Sequence, residues 1–188
     1  MQKIIIIAAP SGSGKTTLVK KLLSQYPVFG FSISCTTRAP RGEEQDGVDY
    51  YFITEEAFRQ KITDDAFLEW ENVYEGLYYG TLKSEIDRIH AQDMWPLLDI
   101  DVYGAVNLKK KYGSDVLSIF IKAPSIDELR RRLVQRQTDT PEVIEKRIQK
   151  AEHELLFASQ FDHVVINDDI DQAMKDLAQI LQEAGILS

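Results

Sequence analysis

An unbroken apolar run at residues 4–9, rich in isoleucine and stopped by a Pro-Ser-Gly turn, predicts a strand buried on both faces, the pattern of a central parallel strand. Residues 15–25 then carry Leu18, Leu22 and Leu23 against Lys20 and Lys21, an amphipathic helix that Pro27 stops. From 29 to 82 the pattern breaks into short strand-like pieces at 31–34, 50–53 and 67–73, with one short helix starting near Thr54. That profile predicts an inserted, mainly β lobe. A helix near 83–91 precedes a second buried-strand run at 95–100. Residues 116–121 and 163–166 repeat the run, with helical stretches between them as right-handed crossovers require. Ser125, three residues before Glu128, reads as a capping box. The next helix opens at Thr140 and Pro141 and shows Ile144, Ile148, Ala151 and Leu155 as one apolar face.

Composition narrows the classes. The chain has 188 residues, which fits one domain, or one with sub-lobes, and its 44% hydrophobic and 28% charged residues exclude a disordered chain. A formal net charge of -8 argues against a sequence-independent nucleic-acid binder, so any anion site is local. The exception is residues 130–150, which hold seven Lys or Arg against three carboxylates. Cys35, the single cysteine, can form no internal disulfide, and His90, His153 and His163 lack zinc-ligand spacing. No run is long enough to span a bilayer and no secretory n-region precedes the first strand, so a cytoplasmic location without a membrane partner is expected.

Between the first strand and helix stands Ala9-Pro10-Ser11-Gly12-Ser13-Gly14-Lys15-Thr16, the context a phosphate-binding P-loop needs. Small residues let backbone N–H groups curl toward a phosphate at the helix N-terminus. Lys15 reaches the β and γ phosphates, and the Thr16 hydroxyl is placed to ligate Mg²⁺ brought with ATP. The first glycine of the motif is replaced by Ala9, which the loop accommodates only if that position has an ordinary backbone conformation. The fold class that follows is α/β, a P-loop NTPase-type parallel sheet flanked by helices. Asp99 and Asp101, at the end of the 95–100 strand, resemble the acidic end of a second P-loop-protein motif and are expected on one face of it. Arg38 and Arg41, three residues apart around Pro40, offer two guanidinium forks for a second phosphate.

With these arginines the sequence closely resembles the guanylate kinase family. The matches run from Thr36-Thr37-Arg38-Ala39-Pro40-Arg41 through Gly47-Val48-Asp49-Tyr50-Tyr51-Phe52, Phe67-Leu68-Glu69-Trp70 and Gly76-Leu77-Tyr78-Tyr79-Gly80-Thr81. They continue with Asp99-Ile100-Asp101, Arg132 and Arg136 before Thr138-Asp139, Arg147 and Asn167-Asp168-Asp169, spanning nearly the whole chain. The resemblance implies ATP-dependent phosphorylation of GMP, and of dGMP, to the diphosphate. It implies ATP on Ser11, Gly12, Ser13, Gly14, Lys15, Thr16 and Thr17, with Asn167 near the adenine. It places the GMP phosphate on Arg38, Arg41, Tyr50 and Tyr79, with Glu44 in register beside them. Ser34, Glu69, Thr81 and Asp101 surround the guanine, and Asp99 joins this group.

Chemistry agrees for Glu69, since a carboxylate accepts from both guanine N1–H and the 2-amino group, which adenine cannot match. Arg132, Arg136 and Arg147 match the family's lid and stabilise the phosphoryl group in flight. The layout implied is a core of 1–33, 83–124 and 160–188, a GMP-binding lobe at 34–82 and a lid at about 125–159, with closure on substrate. Gln137 replaces the family's glycine, and Gly42-Glu43-Glu44 its Pro-Gly-Glu. Tyr51 and Tyr78 are read as packing residues rather than ligands. No side-chain nucleophile is required. Two alternatives remain at this point: a related kinase of a phosphorylated sugar, and a catalytically inactive interaction module of the same fold. The sequence carries no signal for monomer over homo-oligomer.

Overall fold

A computed structural model describes residues 3–135 and 139–187. Along the chain the elements are β1 (Ile4–Ala8), α1 (Lys15–Gln25), β2 (Phe29–Phe31), β3 (Cys35–Thr36), β4 (Tyr51–Phe52), α2 (Glu55–Thr63), β5 (Phe67–Tyr74), β6 (Leu77–Leu82), α3 (Lys83–His90) and β7 (Trp95–Asp99). They continue as α4 (Val102–Tyr112), β8 (Val116–Lys122), α5 (Ile126–Gln135), α6 (Pro141–Leu155), β9 (His163–Ile166) and α7 (Ile170–Glu183). The contacts divide the chain into two compact units, one of residues 28–98 and one of 3–27 with 99–187.

In the unit of 3–27 and 99–187, β8 lies between β1 and β9, all parallel, with Ile4 opposite Val116 and Ile119 opposite His163. Every residue of β1 is buried, as is all of β8 up to Lys122, which is why both read as continuous apolar runs. Helix α1 turns Leu18, Val19 and Leu22 inward. Helices α5 and α6 close on their own apolar cluster of Ala123, Leu129, Leu133, Ile144, Ile148 and Ala151. The inner face of α6 differs from expectation at its end: Glu154 is buried and Leu155 only half-buried. The capping box at Ser125 is half made. Its hydroxyl accepts from Glu128 N–H at 3.1 Å, but the Glu128 carboxylate turns to Arg131 and Arg132.

In the unit of 28–98, β2 and β7 pair in parallel, and a separate mixed sheet has the order β4-β3-β6-β5. Phe58 of α2 stacks on Phe67 at 4.3 Å between ring centres, in a core with Cys35 and Tyr78 against which Tyr51 packs, in agreement with the packing role read for both tyrosines. Burial pushes the Cys35 thiol up to about 11, the condition of an inert cysteine. The expected strand at 31–34 is in fact a junction. β2 ends at Phe31 and β3 begins at Cys35, because Ile33 N–H is taken by the Glu85 carboxylate instead of a strand neighbour. Strand β6 was not read as a strand from the sequence. Gly80 lies within it where any Cβ would come 2.9 Å from the Glu69 carbonyl oxygen, so the close approach of β5 and β6 requires glycine there. Among the described residues no helix is long and apolar enough to cross a membrane.

Candidate active site

The glycine loop is shaped by position-specific needs. Gly14 caps α1 at φ +86°, and a Cβ on it would lie 2.2 Å from Asn167 Nδ2, so only glycine serves. Asn167 is buried and its Nδ2 donates to Ser13 O at 2.8 Å. It therefore braces the loop from behind. Ala9 satisfies its condition: among described non-glycine residues only Asp65 and Asp93 have positive φ. The first turn of α1 has neither a side-chain cap nor an acidic residue, leaving its N–H groups and positive dipole end for an anion. Ser13 Oγ is buried there with no hydrogen-bond partner, while Ser11, Thr16 and Thr17 are exposed.

Lys15 Nζ donates to Ile100 O at 2.9 Å and is ion-paired with Asp99, which places its charge at the carboxyl end of β7's last residue. Asp101 does not share a strand face with Asp99. β7 stops at Asp99, and Asp101 instead caps α4, its Oδ1 accepting from Gly104 N–H at 2.7 Å. Arg132 is held by Glu128 at 2.7 Å, and Arg147 lies 3.3 Å from Asp139 with its Nη1 3.5 Å from Ser11 Oγ. Arg131 shares Glu128, whose carboxyl is drawn down to about 2 by the two guanidinium groups. Arg136 and Gln137 lie outside the described residues.

Glu154, buried in α6, has Lys150 Nζ at 3.6 Å. Burial pushes its pKa up; Lys150 opposes this, and the charge of Asp101 reinforces it. A carboxyl raised above its ordinary 4.5 in the folded state binds more protons folded than unfolded, so stability falls as pH climbs through that window. Glu154→Gln should therefore raise the melting temperature at pH 7 by about 2 °C or more, with the gain vanishing below pH 4.5. Melting curves from pH 4 to 8 check this, and a gain independent of pH would contradict it.

In the unit of 28–98 the expected phosphate-binding groups converge on Arg38. Its Nη1 and Nη2 make a fork on Glu44 at 2.6 and 2.7 Å, and its Nε donates to the Tyr79 hydroxyl at 3.1 Å. Its guanidinium carbon lies 4.8 Å from the Tyr50 ring centre. Arg41 joins through its backbone, whose N–H donates to Glu44 at 2.8 Å, while its side chain is exposed. Arg38, with the Arg41 N–H, holds the Glu44 carboxyl down to about 2. Glu44 is thus the resting counter-ion of Arg38. The β5–β6 register sets Glu69 opposite Thr81, and the fully buried Thr81 hydroxyl donates to Glu69 Oε1 at 2.7 Å. Ser34, half-buried, anchors β4 by accepting Tyr51 N–H at 2.9 Å.

The residues whose role sequence reasoning missed are Glu128 and Asp139, the carboxylates that hold Arg132 and Arg147. Glu128 was legible, since it precedes Arg131 and Arg132 by three and four residues on one helix face. Asp139 carries no such spacing signal toward Arg147.

Compared with known proteins, residues 1–184 match the family model described as guanylate kinase. A guanylate kinase of Bacteroides fragilis is 51% identical over 181 residues, covering 96% of this chain and 89% of that one. One of Porphyromonas gingivalis is 49% identical over 186 residues, covering 96% and 99%. Among solved structures, a guanylate kinase from Anaplasma phagocytophilum superposes with a TM-score of 0.78 at 30% identity, covering 97% of this chain and 86% of that one. A shikimate kinase from Bacteroides thetaiotaomicron, at 17% identity and a TM-score of 0.54 over 96% and 98%, shares the fold.

Proposed function

Since the chain belongs to the guanylate kinase family, whose activity is ATP-dependent phosphorylation of GMP to GDP, we propose how its own residues divide that work. The loop amides of Ser11 to Gly14, with Lys15, Thr16 and Thr17, bind the ATP phosphates, and Asn167 supports them by bracing the loop. Arg38, Arg41, Tyr50 and Tyr79 bind the GMP phosphate, with Glu44 keeping Arg38 in place until it arrives. Ser34, Glu69 and Thr81 read the guanine, with Asp99 and Asp101 contributing from the end of β7. Arg132, Arg136 and Arg147 stabilise the charge of the transferring group. Segment 34–82 is the GMP-binding lobe, 125–159 the lid, and the rest the core. The observation that carries the base assignment is the Glu69 carboxylate held by a buried hydroxyl on a neighbouring strand.

A magnesium ion fits this donor set. The exposed Thr16 hydroxyl is a hard oxygen ligand, and among the described residues no group of three or more His, Cys, Asp or Glu could hold a metal alone. That suits an ion carried mainly by nucleotide oxygens. When bound it would offset charge on the β and γ phosphates. No side chain forms a covalent intermediate; positioning and charge stabilisation suffice. The substrates are ATP with GMP or dGMP, and the compartment is the cytoplasm, where a single buried thiol is at home.

ADP formation measured with GMP, dGMP, AMP and ribose bisphosphate as acceptors tests the reading. Turnover is expected with GMP and dGMP and to be at least about a thousandfold lower with AMP. Comparable rates with AMP, or preference for the sugar phosphate, would overturn the guanine assignment.

A further inference from the structure

Glu85 and Glu154 are the two acidic residues among the described residues that are buried, and Glu85 makes the richer set of bonds. It stands in the first turn of α3, within the unit of 28–98. Its Oε2 accepts Ile33 N–H and Arg88 Nη2, both at 2.9 Å, and its Oε1 accepts the Tyr51 hydroxyl at 2.9 Å and Arg88 Nε at 3.0 Å. Arg88 Nη2 also donates to Phe31 O at 3.0 Å. The carboxylate thus ties α3 to the 32–34 junction and to β4, and its partner Arg88 ties α3 to the end of β2. Burial pushes its pKa up, but the bonds from Arg88, Ile33 and Tyr51 prevail and hold it below the ordinary carboxylate range, so it is ionised at neutral pH.

A buried ion pair is a poor way to add stability, because apolar groups of similar volume commonly do as well. What this one adds is direction. Ile33 precedes Ser34, and Ser34 O accepts Tyr51 N–H at 2.9 Å, so the junction and β4 are locked together at two adjacent points. Tyr50 and Phe52, the neighbours of Tyr51, lie 4.8 and 5.6 Å from the Arg38 guanidinium carbon. A shift of β4 against the junction would therefore move the phosphate-binding cluster relative to Ser34.

We propose that Glu85 is a positioning residue for GMP: through Ile33 and Tyr51 it fixes the spacing between the junction that carries Ser34 and the strand that carries Tyr50. This rests on the roles proposed above for those two residues. Nothing in it touches the reacting atoms, so the effect falls on GMP binding.

Steady-state kinetics on full-length Tyr51→Phe and Glu85→Gln, varying GMP at saturating ATP and the reverse, test it beside Ser34→Ala and Tyr50→Phe. Tyr51→Phe deletes one hydrogen bond and keeps the ring in the core. It should raise KM for GMP about threefold to tenfold with KM for ATP unchanged. Glu85→Gln turns an amide donor toward donors and should raise it by about tenfold or more. The double variant should lose less than the product of the two factors, since both act on one bond. If Ser34→Ala and Tyr50→Phe impair GMP binding but Tyr51→Phe and Glu85→Gln do not, the positioning role is overturned and the site reading stands. If none of the four changes KM for GMP, the site reading fails and takes this role with it. Parallel losses for GMP and ATP that track the melting temperature would show a merely structural role and overturn it too.

Discussion

Lys15→Met should lower turnover by about a thousandfold or more while KM for GMP stays near its parent value. Methionine keeps the length of the side chain and removes its charge. In the resting protein that charge is shared between Ile100 O, at 2.9 Å, and the paired Asp99, and both side chains of the pair are only 18% exposed. The ammonium is thus already oriented by two fixed acceptors, and phosphate oxygens exchange with those acceptors at small reorganisation cost. Losing it leaves Asp99 without its cation. Because Asp99 keeps some solvent contact, the expected stability loss is modest, about 1 kcal/mol, or a melting shift of about 2–4 °C. Lys15→Arg should be a poor rescue, since a planar fork cannot occupy the place of a compact point charge beside a carboxylate and a carbonyl. Turnover of Lys15→Met within tenfold of the parent would remove Lys15 from the reaction.

The loop itself was legible in the sequence because its determinants are local: an apolar strand, small residues in a fixed order and a helix start. Even the Ala9 substitution could be posed as a single conformational condition, which the backbone meets. The junction at 32–34 was not legible, since its departure from strand geometry depends on Glu85, fifty-two residues away along the chain. In sequence Glu85 looks like any polar position of an amphipathic helix. Strand β6 was hidden for a related reason: Gly80 lowers strand propensity, and only the pairing with β5 explains why it must be there. Leu155 and Glu154 show the limit of periodicity, which places a residue on a helix face but cannot tell which neighbour the tertiary packing covers.

From the sequence the candidate residues could be named, but the bonds that hold them could not. Arg38, Tyr50, Tyr79 and Glu44 come together around a fork from Arg38 onto Glu44, a pairing that the spacing of Arg38 and Arg41 does not announce. The same pairing recurs at Arg132 with Glu128 and at Arg147 with Asp139. A guanidinium held by a carboxylate keeps its orientation without an anion present, and a doubly charged phosphate is a stronger partner for it than a carboxylate. Sequence spacing identifies cations well; which anion holds each of them at rest depends on rotamers and on the tertiary fold.

Glu69→Gln carries the sharpest test of base recognition and should lower kcat/KM for GMP by about a thousandfold or more. The carboxylate is oriented by the Thr81 hydroxyl at 2.7 Å across a strand pair whose register is interrupted between Phe67 and Glu69. Thr81 is fully buried, so its hydroxyl must keep an acceptor. Glutamine can satisfy it with the amide oxygen, but its NH₂ then meets the N1–H and 2-amino donors of guanine, and the bidentate pair becomes a clash of donors. Because the replacement is nearly isosteric and Glu69 is only half-buried, the melting temperature should stay within about 2 °C of the parent. KM for ATP should also be unchanged, as the loop that carries the ATP groups keeps every bond described for it. AMP offers an acceptor at N1 where guanine offers a donor, so the GMP to AMP preference should shrink from the GMP side. Thr81→Val, which removes only the orienting donor, should lose about tenfold. A Glu69→Gln enzyme that phosphorylates GMP within threefold of the parent would mean that the base is read by other groups.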